Sequence, residues 1–98
     1  MDEVATCAER LRVLAEPTRL AVLRLLLKSP NSAGEIAAAI HVEQTLLSHH
    51  LALLRKAHLV QVRREGKQRI YAAAPTVAVR LGCDEIDLGC CRLRFDGP

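Results

Sequence analysis

The chain has 98 residues, half of them apolar and 26% charged, which is enough for one small core and too little for a large enzyme with a deep cleft. No apolar run approaches the 18 or so residues of a membrane span, and the acidic start Met1-Asp2-Glu3 is unlike an export signal. The expectation is therefore a cytoplasmic protein, not a membrane one, whose four cysteines are reduced thiols. The net charge of +3 is unevenly spread: residues 44–74 carry +5, from Arg55, Lys56, Arg63, Arg64, Lys67 and Arg69 against Glu65, and the rest of the chain carries −2. A basic stretch between near-neutral flanks suits a phosphate-binding face.

In chain order, Val4, Cys7, Ala8, Leu11 and Leu14 recur at helical spacing and predict a first helix over about 3–14. Pro17 suits the first turn of a second helix, 17–28, with Leu20, Leu23, Leu26 and Leu27 as its inward stripe. Ser29-Pro30-Asn31 reads as a turn. Ser32 and Glu35 have capping-box spacing, and a short helix follows to Ile40 with Ile36 and Ile40 inward. After the tight connection His41-Val42-Glu43, a fourth helix runs over about 44–57, with Leu47, Leu51 and Leu54 inward; the pair forms a helix-turn-helix.

Beyond Leu59 the period changes from helical to two. Val60 and Val62 alternate with Gln61 and Arg63, Gly66-Lys67 makes a turn, and Gln68–Ala74 returns, giving a β-hairpin over about 60–74 with a basic tip. Thr76–Leu81 reads as a further strand, Gly82–Glu85 as a loop, and Ile86–Phe95 as a strand with Cys91, Leu93 and Phe95 on one side and Cys90, Arg92 and Arg94 on the other. The fold class is mainly α with a small β wing: one winged helix-turn-helix domain over 1–98, with an extended, cysteine-containing C-terminal segment over 82–95.

On the fourth helix, Gln44, Thr45, Ser48 and His49 are placed opposite the leucine stripe, where they would reach base edges in a major groove; Gln pairs well with adenine, and Ser or Thr with several bases. Arg63, Arg64, Lys67 and Arg69 of the wing read as phosphate or minor-groove contacts. Adjacent His49 and His50 point about 100° apart on a helix and do not share an ion. His50 is expected inside, and His41 and His58 on the surface. No catalytic constellation is present in the sequence, so a binding protein is expected rather than an enzyme.

The sequence Leu14-Ala-Glu-Pro-Thr-Arg-Leu20, the run Ser48-His-His-Leu-Ala-Leu-Leu-Arg-Lys-Ala-His-Leu-Val60, and Arg64-Glu-Gly-Lys67 with Ile70-Tyr71 resemble the ArsR/SmtB family of small bacterial repressors. The likeness runs over about Leu11 to Ala74. It implies a homodimer, packed through the first helix and the C-terminal segment, on an imperfectly palindromic DNA operator that is released when an inducer binds. Two positions depart from the family pattern: Glu43 stands where a serine N-cap is usual, and His58 where glycine usually follows the helix. The family's thiolate pair before the recognition helix has no counterpart in 32–40, and its C-terminal Asp/His site has none because no His follows residue 58.

Instead, Cys83, Cys90 and Cys91 cluster near the C-terminus. Thiolates select soft ions, and three of them suit trigonal As(III) as an inducer, with no cofactor otherwise required. Neighbours on a regular strand face opposite ways, so Cys90 and Cys91 would need a distortion after Gly89 to act together. Cys7 and Cys91 also read as small buried apolar groups. The alternatives are a thiol-redox switch, with Cys90 or Cys91 bonded to Cys83; a winged-helix DNA-binding protein with no inducer site; and a small thiol metal carrier.

Overall fold

A computed structural model describes residues 2–77 and 85–96. Helix α1 (Asp2–Leu14) starts on Asp2 and Glu3 and has Arg12 in its last turn, charges that oppose its dipole. Of its apolar stripe only Leu14 is buried; Val4 and Leu11 are 64% and 38% exposed. Helix α2 (Pro17–Lys28) begins with Pro17 and is capped by Glu16, whose carboxylate accepts from the Arg19 N–H at 3.0 Å. Val22, Leu23, Leu26 and Leu27 fill the core from α2, and Leu20 packs at its margin.

The expected turn at Ser29-Pro30-Asn31 ends one residue early. Asn31–Ser32 forms a two-residue strand β1, paired with Tyr71 and Ile70. It covers the outer edge of the wing, an edge that would otherwise present unpaired backbone groups. Ser32 then caps helix α3 (Ala33–Ile40) through the expected reciprocal box: the Glu35 N–H donates to Ser32 Oγ at 3.2 Å, and the Ser32 N–H donates to Glu35 Oε1 at 2.8 Å. The hydrogen bonds from Ser32 hold the Glu35 carboxyl below its ordinary value. The helix closes on His41, left-handed at φ 57°.

Helix α4 (Gln44–Lys56) buries Leu47, His50, Leu51 and Leu54. It ends in a Schellman arrangement: the Leu59 N–H donates to Leu54 O at 3.0 Å, the His58 N–H donates to Arg55 O at 2.9 Å, and His58 is left-handed at φ 61°. Fully buried Leu54 and Leu59 supply the apolar contact of that motif. Strands β2 (Val60–Glu65) and β3 (Gln68–Ala73) form the wing, turning at Gly66, whose φ of 61° suits glycine. The sheet order is β1-β3-β2.

The C-terminal expectation needs correction. Thr76 and Val77 lie in a turn rather than a strand, with the Val77 N–H on Ala74 O, and residues 78–84, including Cys83, fall outside the described residues. Ile86–Phe95 is not one strand but a hairpin of β4 (Glu85–Asp87) and β5 (Arg92–Arg94), with Ile86 opposite Leu93. Gly89 breaks it. At φ 87° its N–H donates to Asp87 Oδ1 at 2.8 Å, and the Leu88 N–H donates to Cys91 O at 2.9 Å. The alternation nonetheless holds past the turn, with Leu93 and Phe95 packed on the core while Arg92 and Arg94 are exposed.

Candidate DNA-binding face and thiol cluster

Gln44, Thr45, Ser48 and His49 are all exposed on α4. Thr45, Ser48 and His49 face away from the buried stripe. Gln44 is set to one flank of the first turn, where a methyl group added at Gly34 would come within 3.5 Å of its Nε2. Leu46, an apolar residue that the leucine stripe does not include, is 51% exposed on the same helix beside these polar groups. The N-cap Glu43 makes no capping hydrogen bond with its side chain.

His50 explains part of the sequence signature. It is buried, and the Arg19 guanidinium lies 3.2 Å from its Nδ1. Arg19 also donates to Val13 O through Nε, and Glu16 Oε2 lies 3.6 Å from His50 Nδ1. Burial works against the charge of Glu16, but the N–H groups of Arg19 and Thr18 and the positive charge nearby outweigh it, holding the carboxyl below its ordinary value. Glu16, Arg19 and His50 therefore seat the recognition helix against the junction of α1 and α2. Exposed His41 and His58 take no part in this network.

Arg63, Arg64, Lys67 and Arg69 are exposed on the wing. Arg63 is engaged with Glu65 at 2.7 Å, a solvent-exposed pair of little energetic weight. Arg64 and Arg69 lie directly opposite each other across the β2–β3 ladder. Like charges in that position repel, and a shared anion would relieve them. The register, invisible until the hairpin is paired, is the signal the sequence reading lacked.

The second feature is a sulfur cluster. Cys7 and Cys90 form a disulfide with Cα atoms 6.1 Å apart. The Sγ of Cys91 lies 3.7 Å from that of Cys7 and 4.0 Å from that of Cys90. This corrects three expectations: the thiols are not all reduced, Cys7 is not merely a small apolar group, and the partner of Cys90 is Cys7 rather than Cys83. The cause is local. The turn at Gly89 swings Cys90 and Cys91 toward α1, and Arg10, one helical turn beyond Cys7, donates to Leu88 O at 2.8 Å and holds the hairpin tip there. An open groove of about 890 Å³, lined by Val4, Cys7, Leu11, Leu88 and Cys90 among others, gives access to the cluster.

The family model described as "Bacterial regulatory protein, arsR family" matches residues 16–62. The chain is 41% identical over 82 residues to the biofilm growth-associated repressor of Agrobacterium fabrum, covering 83% of this chain and 70% of that protein. Its fold is similar to that of reduced HlyU from Vibrio cholerae (TM-score 0.73, 33% identity, 76% and 79% of the two chains). It is also similar to a homodimeric winged helix-turn-helix DNA-binding domain from Mycobacterium bovis (TM-score 0.70, 32% identity, 74% and 68%). The chain spans between about half and 70% of the lengths of curated relatives that it matches.

Proposed function

The chain belongs to the arsR family of bacterial regulatory proteins, and from that premise we propose that it is a cytoplasmic transcriptional repressor that binds duplex DNA as a homodimer. The observation that carries the DNA assignment is the Arg64–Arg69 cross-strand pair on the wing beside the exposed polar turn of α4. Phosphate between the two arginines would neutralise both, while Thr45, Ser48, His49 and Gln44 address base edges. The exposed Val4 and Leu11 of α1 support dimerisation through that helix. A two-fold dimer places its recognition helices about 34 Å apart on an imperfect palindrome.

The inducer reading is that Cys90 and Cys91, with Cys83 as a further thiol of the segment, bind a soft ion such as As(III) and release the operator. A coupling of about 1–3 kcal/mol, or roughly 5–150-fold in DNA affinity, is the usual size of such a switch. The Cys7–Cys90 disulfide favours a second reading, in which oxidation itself is the signal.

The test is operator binding as a function of salt. Arg64→Ala and Lys67→Ala should weaken binding to all sequences and each reduce the salt slope by about 1, whereas Ser48→Ala and Gln44→Ala should relax base preference. Unchanged binding in both groups of variants refutes the assigned face. Release by arsenite under reducing conditions supports the ion reading, and release by peroxide alone supports the redox reading.

A further inference from the structure

We infer that Cys7, Cys90 and Cys91 form one three-sulfur site for a trigonal thiophilic ion such as As(III), fastening α1 to the tip of the C-terminal hairpin, and that the Cys7–Cys90 disulfide and the bound ion exclude each other. This rests on the reading that the C-terminal thiols receive the inducer. It adds that the third ligand comes from α1, at a sequence separation of 83 from Cys90.

The sulfur positions carry the argument. All three Sγ atoms lie within 4.8 Å of one another, and the two non-bonded separations are 3.7 and 4.0 Å. With metal–sulfur bonds of about 2.3 Å, three sulfurs around a planar trigonal centre stand about 4.0 Å apart, and closer if the centre is pyramidal. Opening the disulfide thus leaves three thiols at nearly the required spacing. Cys90 is exposed and Cys7 and Cys91 half-buried, so an ion arriving along the groove meets Cys90 first. Soft thiolate donors select thiophilic ions over hard ones.

The chemistry balances in two steps. A phosphine reductant gives two electrons to the Cys7–Cys90 bond and becomes the phosphine oxide with oxygen from water; the two sulfurs take up two protons as thiols. Arsenous acid then exchanges three As–OH bonds for three As–S bonds. The three thiol protons leave with the three hydroxides as water, and no electron moves. The oxidised pair withholds two of the three sulfurs, so ion binding requires prior reduction.

The site also reaches the DNA-binding helix. Thr6, Glu9 and Val13 of α1 face Leu53, Lys56 and His58, at the end of the recognition helix, across a cavity of about 350 Å³. α1 therefore lies between the sulfur cluster and the end of α4, with space to shift when the cluster closes on an ion.

The experiment uses the full chain, reduced with a phosphine and freed of it, then titrated with arsenite while thiolate–arsenic absorption and the remaining reactive thiols are measured. Wild type should protect three of its four thiols, and unreduced protein should bind nothing. Cys7→Ser and Cys7→Ala should lose more than the roughly 10–100-fold that removal of an outer-shell partner costs. Cys83→Ser should bind like wild type. Operator binding without arsenite reports that each variant is folded. Wild-type binding by the Cys7 variants, with binding lost in Cys83→Ser, overturns this inference and leaves the C-terminal inducer reading standing. Binding and operator release that survive Cys90→Ser/Cys91→Ser overturn both, as does reduced wild type that binds no arsenite.

Discussion

From α2 to α4 the helices deliver Val22, Leu23, Ile36, Leu47, Leu51 and Leu54 to a single core, and nearby groups close the starts of α2 and α3 and the end of α4: Glu16, Ser32 with Glu35, and the Leu54–Leu59 motif. The C-terminal hairpin contributes only Ile86 and Leu88 as buried side chains among the described residues. Cys91, Leu93 and Phe95 pack half-buried against the core, and point connections add to them: the Cys7–Cys90 bond, Arg10 to Leu88 O, the Asp87 N–H to Val77 O at 2.9 Å, and Arg24 stacked 4.3 Å over the Phe95 ring. Apolar burial is non-directional and hard to switch, whereas a few specific bonds can be made and broken by chemistry. The α2–α4 region is therefore held by burial throughout, whereas the hairpin is fastened in part by bonds that chemistry can make and break.

The largest effect should come from breaking the first half. Leu51→Ala removes a side chain that is 1% exposed between the recognition helix and the core, and should cost about 2–5 kcal/mol. Thermal unfolding would show it, and operator binding should fall with the folded fraction. Leu93→Ala, in the half-buried hairpin, should cost less; equal losses would contradict the contrast between the two regions.

The next effect concerns the cross-link. In oxidised protein, Cys7→Ser opens a loop spanning 83 residues and should lower stability by about 2–4 kcal/mol, chiefly by freeing the unfolded chain. Hydrogen exchange should accelerate first at residues 85–96, with α4 amides still protected. Uniform acceleration would mean that the hairpin is not a separately fastened unit.

The same contrast governs what could be read in advance. Periodicity and caps place α1 to α4 and the wing within a residue or two, because Leu47, Leu51 and Leu54, or Ser32 and Glu35, act over one or two turns. The sequence also exposes the departure at His58, whose left-handed φ the Schellman closure requires. It does not reveal the pairing of Asn31 with Tyr71, the opposition of Arg64 and Arg69, or the Cys7–Cys90 bond, since each joins residues brought together only by the finished fold. The hairpin at Gly89 lies between these cases. The apolar residues sit at even positions in Ile86 and Leu88 and at odd positions in Cys91, Leu93 and Phe95, so the alternation changes phase between them; that shift, the glycine and the side chain of Asp87 two residues before it mark where the chain turns back.

The smallest effect sharpens the comparison at the point where the DNA-reading half breaks its own rule. Every helix after α1 is closed at its start by a side chain except α4, where Glu43 at φ −61°, ψ 140° has N-cap backbone geometry but makes no side-chain bond. A serine there would satisfy one free N–H of the first turn, worth about 0.5–2 kcal/mol. Glu43→Ser also removes a negative charge from the helix end that the proposed binding mode brings toward phosphate, where it would oppose binding most strongly at low salt. The variant should unfold at higher temperature and bind operator more tightly, with the gain in affinity shrinking as salt is added. A gain in stability without one in affinity would place Glu43 away from the phosphates. Tighter binding at unchanged stability would mean that the charge, and not the missing cap, is what glutamate contributes at this position.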